Sequence, residues 1–185
     1  ERVLLLLIAD QSMQLPATIR SRVQQIALGR IDPVSAQMFV ADEAQVSEAQ
    51  AAVLLGLAGG APLAAVQLAN APAYQACTDW LVDWLALIQA PQSLLVVSAR
   101  WQKRLTLIEW LTLLQWLLRD VMALKLGLTP ILPLRYEPIL AYYDLASIQQ
   151  IYDQLLLQLA AQTQNVQAAL VYDSLMQQLC RLAQP

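Results

Sequence analysis

Residues 3–9 form an unbroken apolar run that ends at Asp10. A run this short and continuous predicts a β-strand buried on both faces. A polar turn over 10–14 follows. Pro16, favoured in a first helical turn, predicts a short helix behind it, and residues 25–31 could add a second strand. From there the spacing becomes helical. Asp32 and Pro33 supply a cap and a first-turn proline for a helix to about residue 41. Ser47 caps a second helix over 48–57, with Gln50 completing a capping box. Gly59 and Gly60 break the chain, and a third helix spans roughly 62–68. Three short helices this close together predict a small bundle.

Residues 70–72 read as a linker, after which the helical signals lengthen. One helix is expected over 74–88. Apolar residues continue at helical spacing from 92 to 116 and on to 125, with Ser98 at the start of that helix or within it. Leu107, Leu111, Leu114 and Leu118 form one buried stripe of it. Gly127, Pro130, Pro133 and Pro138 mark an irregular loop. Two more amphipathic helices follow over 147–160 and 166–182, with Asn165 as the cap between them.

Composition changes this picture in one direction. Hydrophobic residues make up 58% of the 185 and charged residues only 14%, so the chain can bury a sizeable core, and apolar surface can be left over for partner subunits. The longest apolar stretch, 105–128, holds Glu109, Arg119, Asp120 and Lys125, too many charges for a lipid-facing span, so no membrane role is expected. Residues 3–9 are too short to cross a bilayer and lack the basic start and cleavage site of a signal peptide. The chain opens on Glu1 without an initiator Met, and is expected to be a piece of a larger soluble, cytoplasmic protein.

The net charge of −3 argues against broad nonspecific attraction to DNA. There is no His, which removes His-based triads and His metal sites, and no bound metal is expected. Cys77 and Cys180 could close a disulfide, but free buried thiols are the expectation for a reducing compartment. No G-x-x-x-x-G-K-[ST] loop occurs, so the chain is expected to bind no nucleotide cofactor of its own. Trp80, Trp84, Trp101, Trp110 and Trp116 could stack on bases, but Trp80 and Trp84 share one helix face and few basic residues interleave, which favours packing or a subunit interface. Arg100, Lys103 and Arg104 could touch phosphate or form a solvated helix end. Asp79, Asp83, Asp144 and Asp153 are too scattered to predict a catalytic carboxylate pair.

The most informative segment runs Leu15-Pro16-Ala17-Thr18-Ile19-Arg20-Ser21-Arg22-Val23-Gln24, behind the expected strand. On spacing alone, Arg20 and Arg22 are two solvated helix charges. As a whole the segment resembles the clamp-loader branch of the AAA+ ATPases. There a sensor-1 strand precedes a helix with a Ser-Arg-Cys motif after Leu-Pro-x-Thr-Ile-Arg. Val23 stands at the motif's Cys, a small apolar substitute. The segment Leu57-Ala58-Gly59-Gly60-Ala61-Pro62-Leu63-Ala64-Ala65 resembles the Gly-Gly turn of delta-prime-type subunits. It carries no sensor-2 arginine, with Leu63 near that position, and a Gly-ended helix before a Pro-started one explains it equally. Residues 165–179 resemble the last collar helix of the family, a pattern shared by many amphipathic helices.

The resemblance implies an all-α chain with a short β remnant. Residues 1–31 would be the tail of an AAA+ core, 32–71 a helical lid, and 72–185 a collar that oligomerises. Arg22 would be the arginine finger, acting in trans on ATP held by a neighbouring subunit. A guanidinium keeps its charge and offers fixed donors to phosphate, and such fingers are worth roughly 10³–10⁵ in rate. The chain would hold no complete active site, but would belong to a DNA-directed DNA polymerase (nucleotidyltransferase) holoenzyme. Its implied partners are clamp-loader ATPase subunits and the clamp-opening subunit, with the sliding clamp and primed DNA reached through the assembly. The main rival expectation is a helical adaptor or self-associating protein, dimerising through its Trp-rich helices; a second is a truncated ATP-dependent remodelling enzyme of the wider AAA+ group, which would require a Walker motif upstream.

Overall fold

The computed structural model describes residues 6–7, 16–24, 26, 31–161 and 167–183. Every regular element among them is helical. The strands expected over 3–9 and 25–31 lie outside the described residues, apart from Leu6, Leu7, Ile26 and Ile31, which are exposed and belong to no element. The polar turn over 10–14 and the cap at Asn165 also lie outside them. The chain divides into two compact units at Asp32/Pro33.

In the first unit, α1 (Ala17–Arg20) is a single turn behind Pro16. The second unit opens with α2 (Pro33–Ala44), α3 (Glu48–Leu57) and α4 (Pro62–Ala69). Ser47 and Gln50 form the expected capping box: Ser47 Oγ accepts the Gln50 N–H at 3.3 Å and Gln50 Oε1 accepts the Ser47 N–H at 3.2 Å. α3 ends in a left-handed turn, with φ +62° at Gly59 and +85° at Gly60. There the Gly60 N–H reaches back to the Leu55 carbonyl at 2.8 Å. Val40, Ala51, Leu54 and Ala65 form the core of this three-helix bundle.

A larger core begins at Ala73. It is built from α5 (Pro72–Gln75), α6 (Cys77–Gln89), α7 (Leu94–Arg104), α8 (Leu107–Lys125), α9 (Glu137–Leu140), α10 (Leu145–Ala160) and α11 (Ala168–Leu182). α8 is the centre: Trp110, Leu111, Leu113, Leu114, Trp116, Leu117, Leu118 and Val121 are all buried, as the apolar stripe predicts. α10 packs along α8, and α11 packs against α6, α7 and α10.

Three boundaries differ from the sequence expectation. The helix expected over 74–88 starts at Pro72 and is interrupted at Ala76. The apolar run 92–125 is two helices, because the chain turns at Leu105 and Thr106. Thr106 caps α8 through a second capping box with Glu109, its N–H donating to Glu109 Oε2 at 2.8 Å. α10 begins two residues before Ser147, since Asp144 accepts the Ser147 N–H at 2.7 Å and caps it. Among the described residues, no single helix is long and apolar enough to cross a membrane.

Candidate functional site

Arg22 follows directly on the end of α1. The Arg20 N–H closes the turn on the Pro16 carbonyl at 3.1 Å, and Ser21 ends it, its hydroxyl donating to the Thr18 carbonyl at 3.3 Å. The Arg22 N–H donates to the Ile19 carbonyl at 3.0 Å, so the backbone is held while the residue stays exposed. Among the described residues no carboxylate pairs with Arg22. Arg20 is half-buried and Val23 likewise. The result is an exposed guanidinium on a short turn, a geometry suited to an external anion.

The Gly59-Gly60 turn positions no cation. Leu63, near the expected sensor-2 position, is 71% exposed, and Pro62 and Leu63 open α4. On α11, Val171, Tyr172, Leu175, Met176 and Leu179 face inward, while Leu170 is exposed.

The tryptophans are interior. Trp80, Trp84, Trp101 and Trp110 are fully buried and Trp116 nearly so. Trp80 stands edge-on to Trp101 at 5.0 Å and to Trp110 at 5.3 Å, and Trp110 stacks on Tyr172 at 4.4 Å. Trp84 Nε1 donates to Tyr143 Oη at 2.9 Å, which donates in turn to the Leu179 carbonyl at 2.6 Å, tying α6 to α11. The rings are therefore unavailable to bases, whereas the helices that carry them keep exposed apolar residues, Val82 on α6 and Leu95 and Val96 on α7.

The basic cluster on α7 is largely occupied. Arg104 pairs with Asp79 at 2.6 Å and lies over the Trp101 ring at 4.9 Å. Arg100 pairs with Asp83, whose other donor is Trp101 Nε1 at 2.7 Å. Asp79 and Asp83 sit one turn apart on α6, as do Arg100 and Arg104 on α7, so the two pairs form a ladder rather than a catalytic dyad. Lys103 is exposed, beside Leu95 and Val96, which are 70% and 74% exposed, on an open apolar–basic face. Asp144 caps α10, and hydrogen bonds from Ser147 hold its carboxyl below the usual range. Asp153 is exposed. Cys77 and Cys180 are free thiols. Burial, with the Asp120 carboxylate adding to it, pushes Cys77 up to about 12, and burial raises Cys180.

Sequence reasoning missed Asp120 as a structural group. Its side chain is 1% exposed in the middle of α8. Oδ2 accepts the Leu132 N–H at 2.7 Å and the Tyr136 hydroxyl at 3.1 Å, and Oδ1 lies 3.2 Å from Arg119 Nη2. The sequence offered only an acid next to Arg119 inside an apolar run, which does not point to the donors beyond α8. Among the described residues no three of His, Cys, Asp and Glu come together as a metal site. No protein-family model matches the chain, and no curated protein matches it.

Proposed function

We propose that the chain is the carboxy-terminal region of a delta-prime-type subunit of a bacterial DNA polymerase III clamp loader, a non-ATP-binding member of the AAA+ clamp-loader family. In this reading residues 1–31 end the AAA+ core, 32–71 are the lid and 72–185 the collar, and the subunit works in the cytoplasm. The collar assembles with the loader's ATPase subunits and its clamp-opening subunit, and the assembly places the sliding clamp on primed DNA. Arg22 reaches ATP held by the neighbouring subunit.

One observation carries the reading. Within Ile19-Arg20-Ser21-Arg22-Val23, Arg22 is exposed and unpaired among the described residues, at the end of a one-turn helix. A finger in trans must leave its own subunit, and a guanidinium already engaged by a carboxylate would lose its donors to phosphate. Two features support the rest. A small helical core precedes a larger one, in the order of a lid and a collar. Exposed Leu95 and Val96 on α7 offer apolar surface to neighbouring subunits.

The test is the DNA-stimulated ATPase of a loader reconstituted with this subunit. Arg22→Ala is expected to leave folding and assembly intact and to slow that ATPase by a factor on the order of 10³ if this finger serves the rate-limiting site, less if the other sites continue. An unchanged rate removes the finger role.

A further inference from the structure

The two helical cores of the second unit meet at a seam that the chain beyond α8 reaches at Ile131. α3 faces both: Ala51 and Leu54 are in the small core, while Val53 and Leu57 pack against the large one. Between them on the same helix stands Gly56. A Cβ at that position would lie 3.0 Å from Ile131 Cγ2, so Ile131 is seated against bare helix backbone. Ile131 is the neighbour of Leu132, whose N–H donates to the buried Asp120 carboxylate, and four residues on Tyr136 donates to the same oxygen. Leu132 and Tyr136 are 3% and 1% exposed.

We infer that residues 131–136 act as a strut that fixes the α2–α4 bundle in one position on the α5–α11 bundle. Its foot is the Asp120 carboxylate and its head is Ile131 on Gly56. A buried carboxylate is unfavourable unless its oxygens are satisfied; Arg119 of the same helix meets Oδ1, but both donors to Oδ2 come from the segment beyond α8, so the charge also holds that segment to the helix. The covalent joint between the bundles, at Asn70 and Ala71, is short and outside any helix, and by itself does not fix an angle. Leu68 and Tyr74, which touch both cores, sit beside that joint, whereas the Gly56–Ile131 contact braces α3, away from it in sequence. Two attachment points fix an orientation that one leaves free. Through the strut, a displacement of either bundle carries the other with it. This holds whatever Arg22 does.

The experiment measures the distance between spin labels at Gln67→Cys on α4 and Asp153→Cys on α10, both exposed sites, in a chain carrying Cys180→Ala. Burial keeps Cys77 out of the labelling reaction. The parent is expected to give one narrow distance distribution. Asp120→Ala and Ile131→Ala are expected to broaden it roughly twofold with helix content unchanged, while Ile131→Val keeps it narrow. Ile131 is only half-buried, so Ile131→Ala decides the matter should Asp120→Ala fail to fold. A folded Ile131→Ala protein that is less stable but keeps the parent's narrow distribution overturns the strut, leaving those contacts as ordinary packing.

Discussion

At Gln45, φ is +53°, the single positive value at a non-glycine residue among those described. A residue with a Cβ is disfavoured there by roughly 1–2 kcal/mol. The conformation persists because it finishes α2: the Val46 N–H reaches the Ala41 carbonyl at 3.1 Å and the Gln45 N–H the Asp42 carbonyl at 3.3 Å. Gly59 and Gly127 solve the same problem at the ends of α3 and α8 without the steric cost. Gln45→Gly is therefore expected to raise the unfolding free energy by about 1 kcal/mol, read from urea denaturation. A loss of stability would show that the Gln45 side chain, which bonds the Asp42 carbonyl, matters more than its backbone strain. The same scale separates two kinds of charge. Asp120 is closed in by three donors from its own chain, and Arg22 is held only through its backbone.

Elements were legible in the sequence where a local signal ended them. Ser47 with Gln50, the two glycines at 59 and 60, and Pro62 each act over four residues or fewer, and α2 to α4 follow them closely. Thr106 and Glu109 have the same capping-box spacing, yet the apolar rhythm of 92–125 ran through them unbroken. The reason is that Leu105, at the turn itself, is buried. A reversal inside the core keeps its apolar side chains, so periodicity alone does not reveal it. The interruption at Ala76 carries no Gly or Pro to mark it. In the candidate site, the exposure of Arg22 follows from a short polar segment and could be anticipated. The Asp120 network could not, because its nearest loop donor is a backbone N–H twelve residues away, which no side-chain pattern encodes. The pairing of Arg100 and Arg104 with α6 was hidden for a similar reason, since it needs the antiparallel approach of two helices.

Over the whole molecule, the large core carries its polar groups inside, and that sets its response to pH. Burial raises the ionisation of Cys77 from 9.0 to about 12 and raises Tyr136, Tyr143, Tyr172 and Tyr74 above 10.0, with Asp120 adding to the effect on Cys77 and Tyr136. Below the unfolded values both states keep these protons, and the contribution is fully present. Above them the unfolded chain releases protons that the native state retains, so stability falls as pH rises. The urea midpoint is expected to fall steadily from about pH 9 to about pH 11, and a midpoint constant over that range would show these groups to be more solvated than their burial indicates.

In the proposed function this chain is one member of a multi-subunit ring, and co-assembly tests that most directly. The protein and the ATPase and clamp-opening subunits of a clamp loader from the same source would be mixed and resolved by size-exclusion chromatography with native mass spectrometry. The account predicts a single heteromeric complex holding one copy of this chain, retained with Arg22→Ala. A chain that elutes alone or only with itself, while the other subunits still assemble with each other, would contradict it.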